Sequence, residues 1–228
     1  MLQSTAAASE RVFEFLDEKE EDQFAENPVS VEGLQGNVEF EHVHFGYNPE
    51  HIIINDFSAK VKDGQKIGIV GPTGAGKSTI VNLISRFYNV NGGRVLIDGQ
   101  DISQVTIHSL REQMGIMMQD SFIFSGDIED NIRYGKLDAT HEEIVKASRT
   151  VCADEFISKM PDRYQTEVRE RGSMLSQGQK QLISFARTLL SDPAILILDE
   201  ATSSIDVQTE KALQTGLNAM LKGRTSFI

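Results

Sequence analysis

The feature that most constrains how this chain folds is the segment Gly71–Thr79, which reads GPTGAGKST. It follows the apolar run Lys66–Val70 and precedes a helical pattern over Ile80–Phe87. A strand, a glycine-rich loop and a helix in this order predict a phosphate-binding loop rather than an ordinary turn, because glycines let main-chain N–H groups turn inward and the helix N-terminus is partly positive. Lys77 is expected to reach the phosphates and the Ser78 hydroxyl to ligate Mg²⁺. The residues predicted to contact phosphate are Gly71, Pro72, Thr73, Gly74, Ala75, Gly76, Lys77, Ser78 and Thr79.

A second candidate site follows the apolar run Ile195–Leu198. Such a run is typical of a strand that is buried on both faces of a parallel sheet. It ends in Asp199 and Glu200, and ligands bind where parallel strands end, so we expect both acids beside the phosphate loop. Asp199 is expected to hold Mg²⁺, and Glu200 to accept a proton from an attacking water. The alternative is an exposed strand end capped by charge.

The composition excludes several classes of protein. The chain has 228 residues, 39% of them hydrophobic and 25% charged, and no apolar run approaches the ~18 residues that a membrane-spanning helix needs. The formal net charge of −12 disfavours a nucleic-acid surface, which requires basic stripes. The one cysteine, Cys152, rules out an internal disulfide and suits a reducing compartment.

Hydrophobic periodicity predicts an α/β fold that is interrupted by a helical segment. A helix is expected over Ala6–Asp17, before an acidic stretch and Pro28. From about Ser109 to Gly172, short helical patterns replace the strands, which indicates a helical insertion between two parts of the core. The other predicted elements are strands over 36–47, 52–61, 94–97, 115–118 and 224–228 and helices over 176–190 and 206–220.

The segment Leu175–Gln179 narrows the interpretation. It reads LSQGQ just before the helix that leads to Asp199, and it resembles the L-S-G-G-Q signature of ABC ATPases. Other segments resemble further motifs of that family in the expected order: Tyr47 (aromatic A-loop residue), Gln119 (Q-loop glutamine), Phe122 and Phe124 (the exporter form of the Q-loop segment), Thr166–Gly172 (exporter X-loop) and Ser203–Asp206 (D-loop).

The resemblance covers nearly all of Gly36–Ile228 and points to the nucleotide-binding domain of a type I ABC exporter, of the multidrug, lipid or peptide type. It implies a RecA-like P-loop NTPase core with an antiparallel β-subdomain and an inserted α-helical subdomain at about residues 113–174. Residues 1–35 are then expected to be the linker from the last transmembrane helix, and 36–228 the ATP-binding domain.

The resemblance also implies ATP and Mg²⁺ as cofactors. Beyond the phosphate loop, the implied nucleotide contacts are Tyr47, Ser176, Gln177, Gly178, Gln179 and Asp206; the implied metal ligands are Ser78, Gln119 and Asp199; the implied catalytic residues are Glu200, Gln119 and Lys77. Tyr47 suits an adenine because aromatic faces stack on purines, although a lone strand aromatic can equally belong to a core. For Gln119 the alternative is a solvated loop amide, and for Leu175–Gln179 a simple helix cap.

The partners implied are a second nucleotide-binding domain and the transmembrane domain of the same transporter, at the cytoplasmic face of the membrane. In this family two ATP molecules are held between two domains, with Ser176 and Gly178 expected to meet the phosphate bound by the other copy. The expected work is ATP hydrolysis coupled to export. The cargo, and the choice between a homodimer and a heterodimer, stay open. A DNA-repair type of ABC ATPase is disfavoured because no heptad pattern separates the phosphate loop from the signature.

Three departures from the family pattern stand out. Gln177 replaces the usual glycine of the signature, and Arg169 replaces a glycine of the X-loop. The chain also stops before the position of the switch histidine, and its histidines all precede Asp199. A C-terminally truncated domain is therefore expected, and an ATP-dependent clamp with little turnover is the alternative to an active ATPase.

Overall fold

The computed structural model describes residues 2–18, 21, 25, 28–48, 50–117, 121–168, 172–198 and 207–228. Several residues singled out by the sequence lie outside these ranges: Gln119, Arg169, Asp199, Glu200 and the segment Ser203–Asp206. Within the described ranges, no helix combines the length and the hydrophobicity that crossing a bilayer requires.

The described helices are α1 (Leu2–Leu16), α2 (Lys77–Ile84), α3 (Ile107–Glu112), α4 (Ile128–Arg133), α5 (His141–Thr150), α6 (Asp154–Ile157), α7 (Gln177–Leu190) and α8 (Val207–Leu221). The described strands are β1 (Val38–Phe45), β2 (Ile54–Val61), β3 (Lys66–Ile67), β4 (Gly92–Ile97), β5 (Gln100–Asp101), β6 (Met114–Met117), β7 (Gly126–Asp127), β8 (Glu167–Val168), β9 (Ile195–Leu198) and β10 (Thr225–Phe227). These strands form three sheets.

Two four-stranded sheets make up the α/β part. One is antiparallel, in the order β2-β1-β4-β5, and the other is parallel, in the order β3-β10-β9-β6. The third sheet is the short antiparallel pair β7-β8, within the helical part. The mixed α/β core, its antiparallel part and the helical insertion agree with the expected fold.

Strand β9 lies between two hydrophobic cores and contributes to both. Ile195 and Ile197 pack into a core with β1, β4 and α2, whereas Leu196 and Leu198 pack into a second core with α4, α5 and α7. Successive side chains of a strand point to opposite faces, so a strand without polar residues can serve two layers. All four side chains are buried, which explains the apolar run in the sequence.

Two segments near the expected domain boundaries belong to the core. The strand expected over Gly115–Met118 is present as β6, Met114–Met117, which pairs in parallel with β9 at the edge of the sheet. Val31, within the stretch expected to be a linker, is 5% exposed, and its N–H donates to Ser109 Oγ at 3.1 Å. The last part of that stretch therefore packs on the core.

Candidate functional site

The loop before α2 has a backbone that only glycine adopts readily. Gly74 and Gly76 have φ angles of 85° and 89°, in the left-handed region that side chains disfavour. A Cβ atom on Gly76 would also lie 3.0 Å from Ile54 Cδ1 and 3.1 Å from Ile53 Cγ2. Gly74 and Gly76 are therefore favoured by conformation, and Gly76 also by space.

The N-terminus of α2 is open to an anion. The helix begins after Gly76 without a side-chain cap, and its first turn carries no acidic residue. The N–H groups of this first turn therefore donate to no capping side chain, and the helix dipole adds positive charge at the same place. Lys77 Nζ donates to the carbonyl oxygens of Gly71 (2.8 Å) and Pro72 (3.0 Å), so its ammonium lies over the same loop. The donors fit a phosphate group.

A cavity of about 630 Å³ joins this loop to Tyr47. That size suits a small-molecule ligand. Its lining contains seven of the residues predicted from the motifs: Tyr47, Thr73, Gly74, Gly76, Lys77, Ser78 and Thr79. It also contains apolar residues that the motifs did not identify: Ile53, Ile69, Val81, Leu198 and Ile228. The cavity thus combines a donor-rich end with an apolar wall.

Tyr47 lies in the wall of this cavity and is 49% exposed, so it is not a core aromatic residue. Its hydroxyl lies 3.4 Å from Thr79 Oγ1, and Asn82 Nδ2 donates to it at 3.3 Å. Both partners belong to α2, the helix that begins at the phosphate loop. The aromatic ring and the loop are therefore held on one structural unit.

The acids expected beside the loop follow a residue that lines the cavity. Leu198 is the last residue of β9, it is paired with Met117 of β6, and it contributes to the cavity wall. Asp199 is next in sequence to Leu198, and Gln119 follows Met117 by two residues. These two residues lie outside the described part, so their metal and catalytic roles stay predictions.

The segment Leu175–Gln179 leads into α7, as predicted, and two hydrogen bonds form within the segment. Ser176 Oγ accepts from the Gln179 N–H (3.2 Å), and Gln179 Oε1 accepts from the Ser176 N–H (3.0 Å), which is a capping box. Ser176 is thus the N-cap residue of α7; its hydroxyl oxygen accepts a bond within the helix, and its proton can still be donated. Gln177 is exposed and Gly178 is buried.

The structure does not bring this segment to the cavity. None of Leu175–Gln179 is among the described residues that line it. Tyr47 and the phosphate loop thus meet within one chain, whereas the resemblance requires the segment to meet a loop in another chain.

No sequence motif identifies the apolar residues that line the cavity. Ile53 belongs to the apolar start of a predicted strand, and Val81 to the helical pattern predicted over Ile80–Phe87. The only available signal was their position, since Ile53 lies six residues after Tyr47 and Val81 one helical turn after Lys77.

A comparison with known protein families gives a match that includes the phosphate loop. The sequence profile of a family described as ABC transporter matches residues 54–203. The chain is 52% identical, over 97% of its length and 37% of the relative's, to the "Uncharacterized ABC transporter ATP-binding protein YknV" of Bacillus subtilis. It is 48% identical, over 100% of its length and 36% of the relative's, to the "Fatty acid ABC transporter ATP-binding/permease protein" of Mycobacterium bovis. The chain thus spans little more than a third of these relatives.

A solved structure gives the same result for the fold. The structure titled "Structure of a bacterial Atm1-family ABC exporter with ATP bound" matches with a TM-score of 0.84 and 40% identity. The match covers 99% of this chain and 39% of that chain. The parallel sheet, the antiparallel sheet and the helical insertion are therefore the arrangement of a known ATP-binding domain.

Proposed function

The chain belongs to the ABC transporter family as an ATP-binding domain, and from this premise we propose that it binds and hydrolyses ATP in the cavity between Tyr47 and the phosphate loop. The single observation that carries the proposal is the continuity of this cavity from an uncapped helix N-terminus to a half-exposed aromatic ring. The two ends match the two ends of ATP, because amides and an ammonium suit phosphates while an aromatic face suits a purine.

The residues of the loop would hold the phosphates, and the acids after β9 would hold the metal and the water. Main-chain N–H groups around Gly74 and Gly76 and the Lys77 ammonium bind phosphate oxygens. Ser78 Oγ and Asp199 are the proposed ligands of Mg²⁺, which when bound neutralises phosphate charge. Glu200 is proposed to accept the proton of the attacking water.

Gln119 and Asp206 complete the proposed site. Gln119 is proposed to orient the attacking water and to contact the metal. Both Gln119 and Glu200 follow strands that lie side by side, because β6 and β9 are hydrogen-bonded neighbours. Asp206 is proposed to contact nucleotide from the D-loop, just before α8 begins at Val207.

A second nucleotide-binding domain is proposed to complete each site. The start of α7 is absent from the cavity lining of its own chain, and it presents the Ser176 hydroxyl proton and the Gly178 amide at a helix N-terminus. These donors suit the phosphate bound by another copy. In this arrangement ATP is enclosed between two chains, and its hydrolysis releases them.

An exposed aromatic patch on the helical part is proposed to contact a transmembrane domain. It consists of Phe122, Phe124, Tyr134 and Leu137, which are 55%, 39%, 61% and 77% exposed. The Phe124 ring lies 4.9 Å from that of Phe122 and 4.8 Å from that of Tyr134, so the apolar surface is contiguous. Surfaces of this kind mark interaction sites.

Side chains of α4 and α7 hold this patch in place through hydrogen bonds and a cation–π contact. The Arg187 guanidinium lies 5.4 Å from the Phe124 ring centroid, and it donates from Nε to the Asn131 carbonyl (2.7 Å) and from Nη1 to the Phe122 carbonyl (3.0 Å). The Asn131 side chain bonds both the N–H and the C=O of Phe124. These bonds join the patch to α4 and α7, and α7 begins at the segment proposed to meet ATP.

In the whole protein, ATP hydrolysis is proposed to drive export across a membrane, with this domain at the cytoplasmic face. The relatives support this proposal through their printed names, which include a fatty acid transporter and an exporter. The nature of the cargo is not part of the proposal.

The test compares ATP turnover of the chain with that of the Glu200→Gln variant, alongside Glu155→Gln, an acid on α6, as the matched control. We expect Glu200→Gln to retain ATP binding by calorimetry and to lose phosphate release by at least about 100-fold, as for other catalytic bases. Turnover that is equal in Glu200→Gln and in the unchanged chain would contradict the assignment of the base. Absence of ATP binding to the unchanged chain would contradict the proposal as a whole.

A further inference from the structure

We propose that Tyr88 is a positioning residue for Tyr47: it fixes the ring that faces the base and thereby sets the base-dependent share of ATP affinity. This inference rests on the proposed function, because it assumes that Tyr47 meets the adenine. No motif of the sequence marks Tyr88, which follows α2 by four residues and is 47% exposed.

The ring of Tyr47 is enclosed by two other rings. Its centroid lies 4.9 Å from that of Tyr88, at an interplanar angle of 82°, and 5.1 Å from that of Phe45, at 84°. Tyr88 and Phe45 also touch each other, with centroids 5.8 Å apart. Edge-to-face contacts at these distances are the preferred geometry for aromatic pairs. Phe45 is buried, so the cluster is anchored in the core on one side.

The segment that carries Tyr88 is tied to the segment that carries Tyr47. Asn91 Oδ1 accepts from the Gly46 N–H at 2.7 Å, and the Asn91 N–H donates to the His44 carbonyl at 2.9 Å. These bonds lie three residues after Tyr88 and one to three residues before Tyr47. The segments that carry the two rings are therefore hydrogen-bonded to each other next to the aromatic contact.

The two tyrosines connect the phosphate end of the cavity to the aromatic end. Asn82 and Thr79 of α2 contact the Tyr47 hydroxyl, and the chain runs from the end of α2 at Ile84 through Tyr88 to Asn91. A ring held at its hydroxyl and at its side loses less rotational freedom when a base stacks on it. Immobilising one side chain costs enough free energy to change affinity by roughly 2- to 10-fold, so removal of Tyr88 should cost about this factor.

The first experiment separates binding of the base from binding of the phosphates. Calorimetry would give Kd for ATP and for inorganic tripolyphosphate, each with Mg²⁺, for the chain and for Tyr88→Leu, Tyr88→Phe and Phe87→Leu. Phe87 is the matched control, because it is the adjacent residue and is equally exposed, at 47%, but packs under the Arg111 guanidinium, 4.5 Å from it. We expect Tyr88→Leu to weaken ATP roughly 3- to 10-fold and to leave tripolyphosphate unchanged, with both other variants close to the unchanged chain.

The second experiment reports on the ring itself. The chain contains no tryptophan, so Tyr47→Trp creates a single fluorescent reporter at the proposed stacking position. We expect ATP to quench this tryptophan, and we expect its fluorescence anisotropy without nucleotide to fall when Tyr88→Leu is added but not when Phe87→Leu is added.

The outcomes separate a failure of the role of Tyr88 from a failure of the proposed stacking of adenine on Tyr47. Quenching by ATP together with unchanged anisotropy and unchanged ATP affinity in Tyr88→Leu would overturn the role of Tyr88 alone. An equal loss of affinity for ATP and tripolyphosphate would also overturn it, because a general structural defect would then explain the result. A tryptophan at position 47 that does not respond to bound ATP would overturn the stacking role of Tyr47, and the inference with it.

Discussion

The N-termini of α2 and α7 are built in opposite ways. Helix α2 begins after Gly76, whose φ is 89°, and no side chain caps it. Helix α7 begins after Ser176, and a reciprocal pair of bonds between Ser176 and Gln179 satisfies its first amides. The resemblance assigns phosphate contacts to both helices, but side chains of α7 already bind two of its N-terminal amides, whereas no side chain caps α2.

This difference indicates a division of labour. An uncapped N-terminus is destabilising on its own and gains from an anion, so the α2 end should bind phosphate with a single chain. A capped N-terminus is stable without a ligand, so the α7 end should add affinity only when a partner presents the phosphate. The predictions below test this difference, from the largest expected effect to the smallest.

Replacement of the loop lysine should have the largest effect. In Lys77→Met the charge-assisted bonds to phosphate are lost, and we expect ATP affinity measured by calorimetry to fall roughly 10- to 100-fold. The control is Lys222→Met, which removes a lysine beyond α8 and should leave the affinity within error. An ATP affinity of Lys77→Met equal to that of the unchanged chain would contradict the role of the loop.

A pair of glycine substitutions should separate strain from binding. Gly74 and Gly64 both have positive φ angles, 85° and 70°, and a Cβ atom on either would meet nothing within 4 Å. Alanine at either position should therefore cost about 1 kcal/mol of stability, measured by urea unfolding. Only Gly74→Ala should also lower the ATP affinity, by about 5-fold, because only its strain shifts the main-chain N–H groups proposed to bind phosphate. Equal ATP affinity in both variants would show that the loop backbone does not determine binding.

A pair of helix caps should separate stability from partnering. Thr140 caps α5 through a capping box with Glu143, as Ser176 caps α7 with Gln179. Alanine at either position should cost about 1 kcal/mol of unfolding free energy. Neither should change ATP binding to one chain, but Ser176→Ala should reduce ATP-dependent dimer formation in sedimentation experiments. Reduced ATP binding by monomeric Ser176→Ala would contradict the division of labour.

The two capping boxes should also differ in pH dependence, which is the smallest effect. The Lys136 ammonium and the Thr140 N–H lower the pKa of Glu143 from 4.5 to about 2, whereas Gln179 does not titrate. Because the folded pKa is the lower one, the stabilisation by Glu143 is complete above pH 4.5 and is lost as the pH falls towards 2.

We therefore expect the stability difference between the chain and Glu143→Gln to narrow steadily below pH 4.5 in urea unfolding. The cost of Gln179→Ala should stay constant over the same range. A constant difference for Glu143→Gln would show that the ion pair is not formed in solution.

The phosphate loop and β9 could be predicted from the sequence because each depends on local residues. The Gly71–Thr79 pattern imposes its own backbone, and the apolar run Ile195–Leu198 requires burial on both faces, which its position between two cores provides. The caps at Thr140 and Ser176 are equally local, since each lies three residues before the side chain that completes its box.

What could not be predicted depends on tertiary contacts. The strand over Met114–Met117 is expected from its apolar residues, but its neighbour in the sheet follows only from the tertiary pairing with β9. Strand β8 has two residues and exists because Gly126 and Asp127 lie opposite it. The contact of Tyr88 with Tyr47 joins residues 41 positions apart, and no spacing rule connects them.

The most direct test of the central claim is a titration of the ¹⁵N-labelled chain with Mg²⁺ and ATP, followed by NMR of the main-chain amides. The account predicts that the amides of Gly74, Gly76 and Ser78 and the signals of Tyr47 shift together, while those of Ser176–Gln179 stay unchanged at concentrations where the chain is monomeric. Shifts confined to other parts of the chain, with the loop amides unmoved, would contradict it.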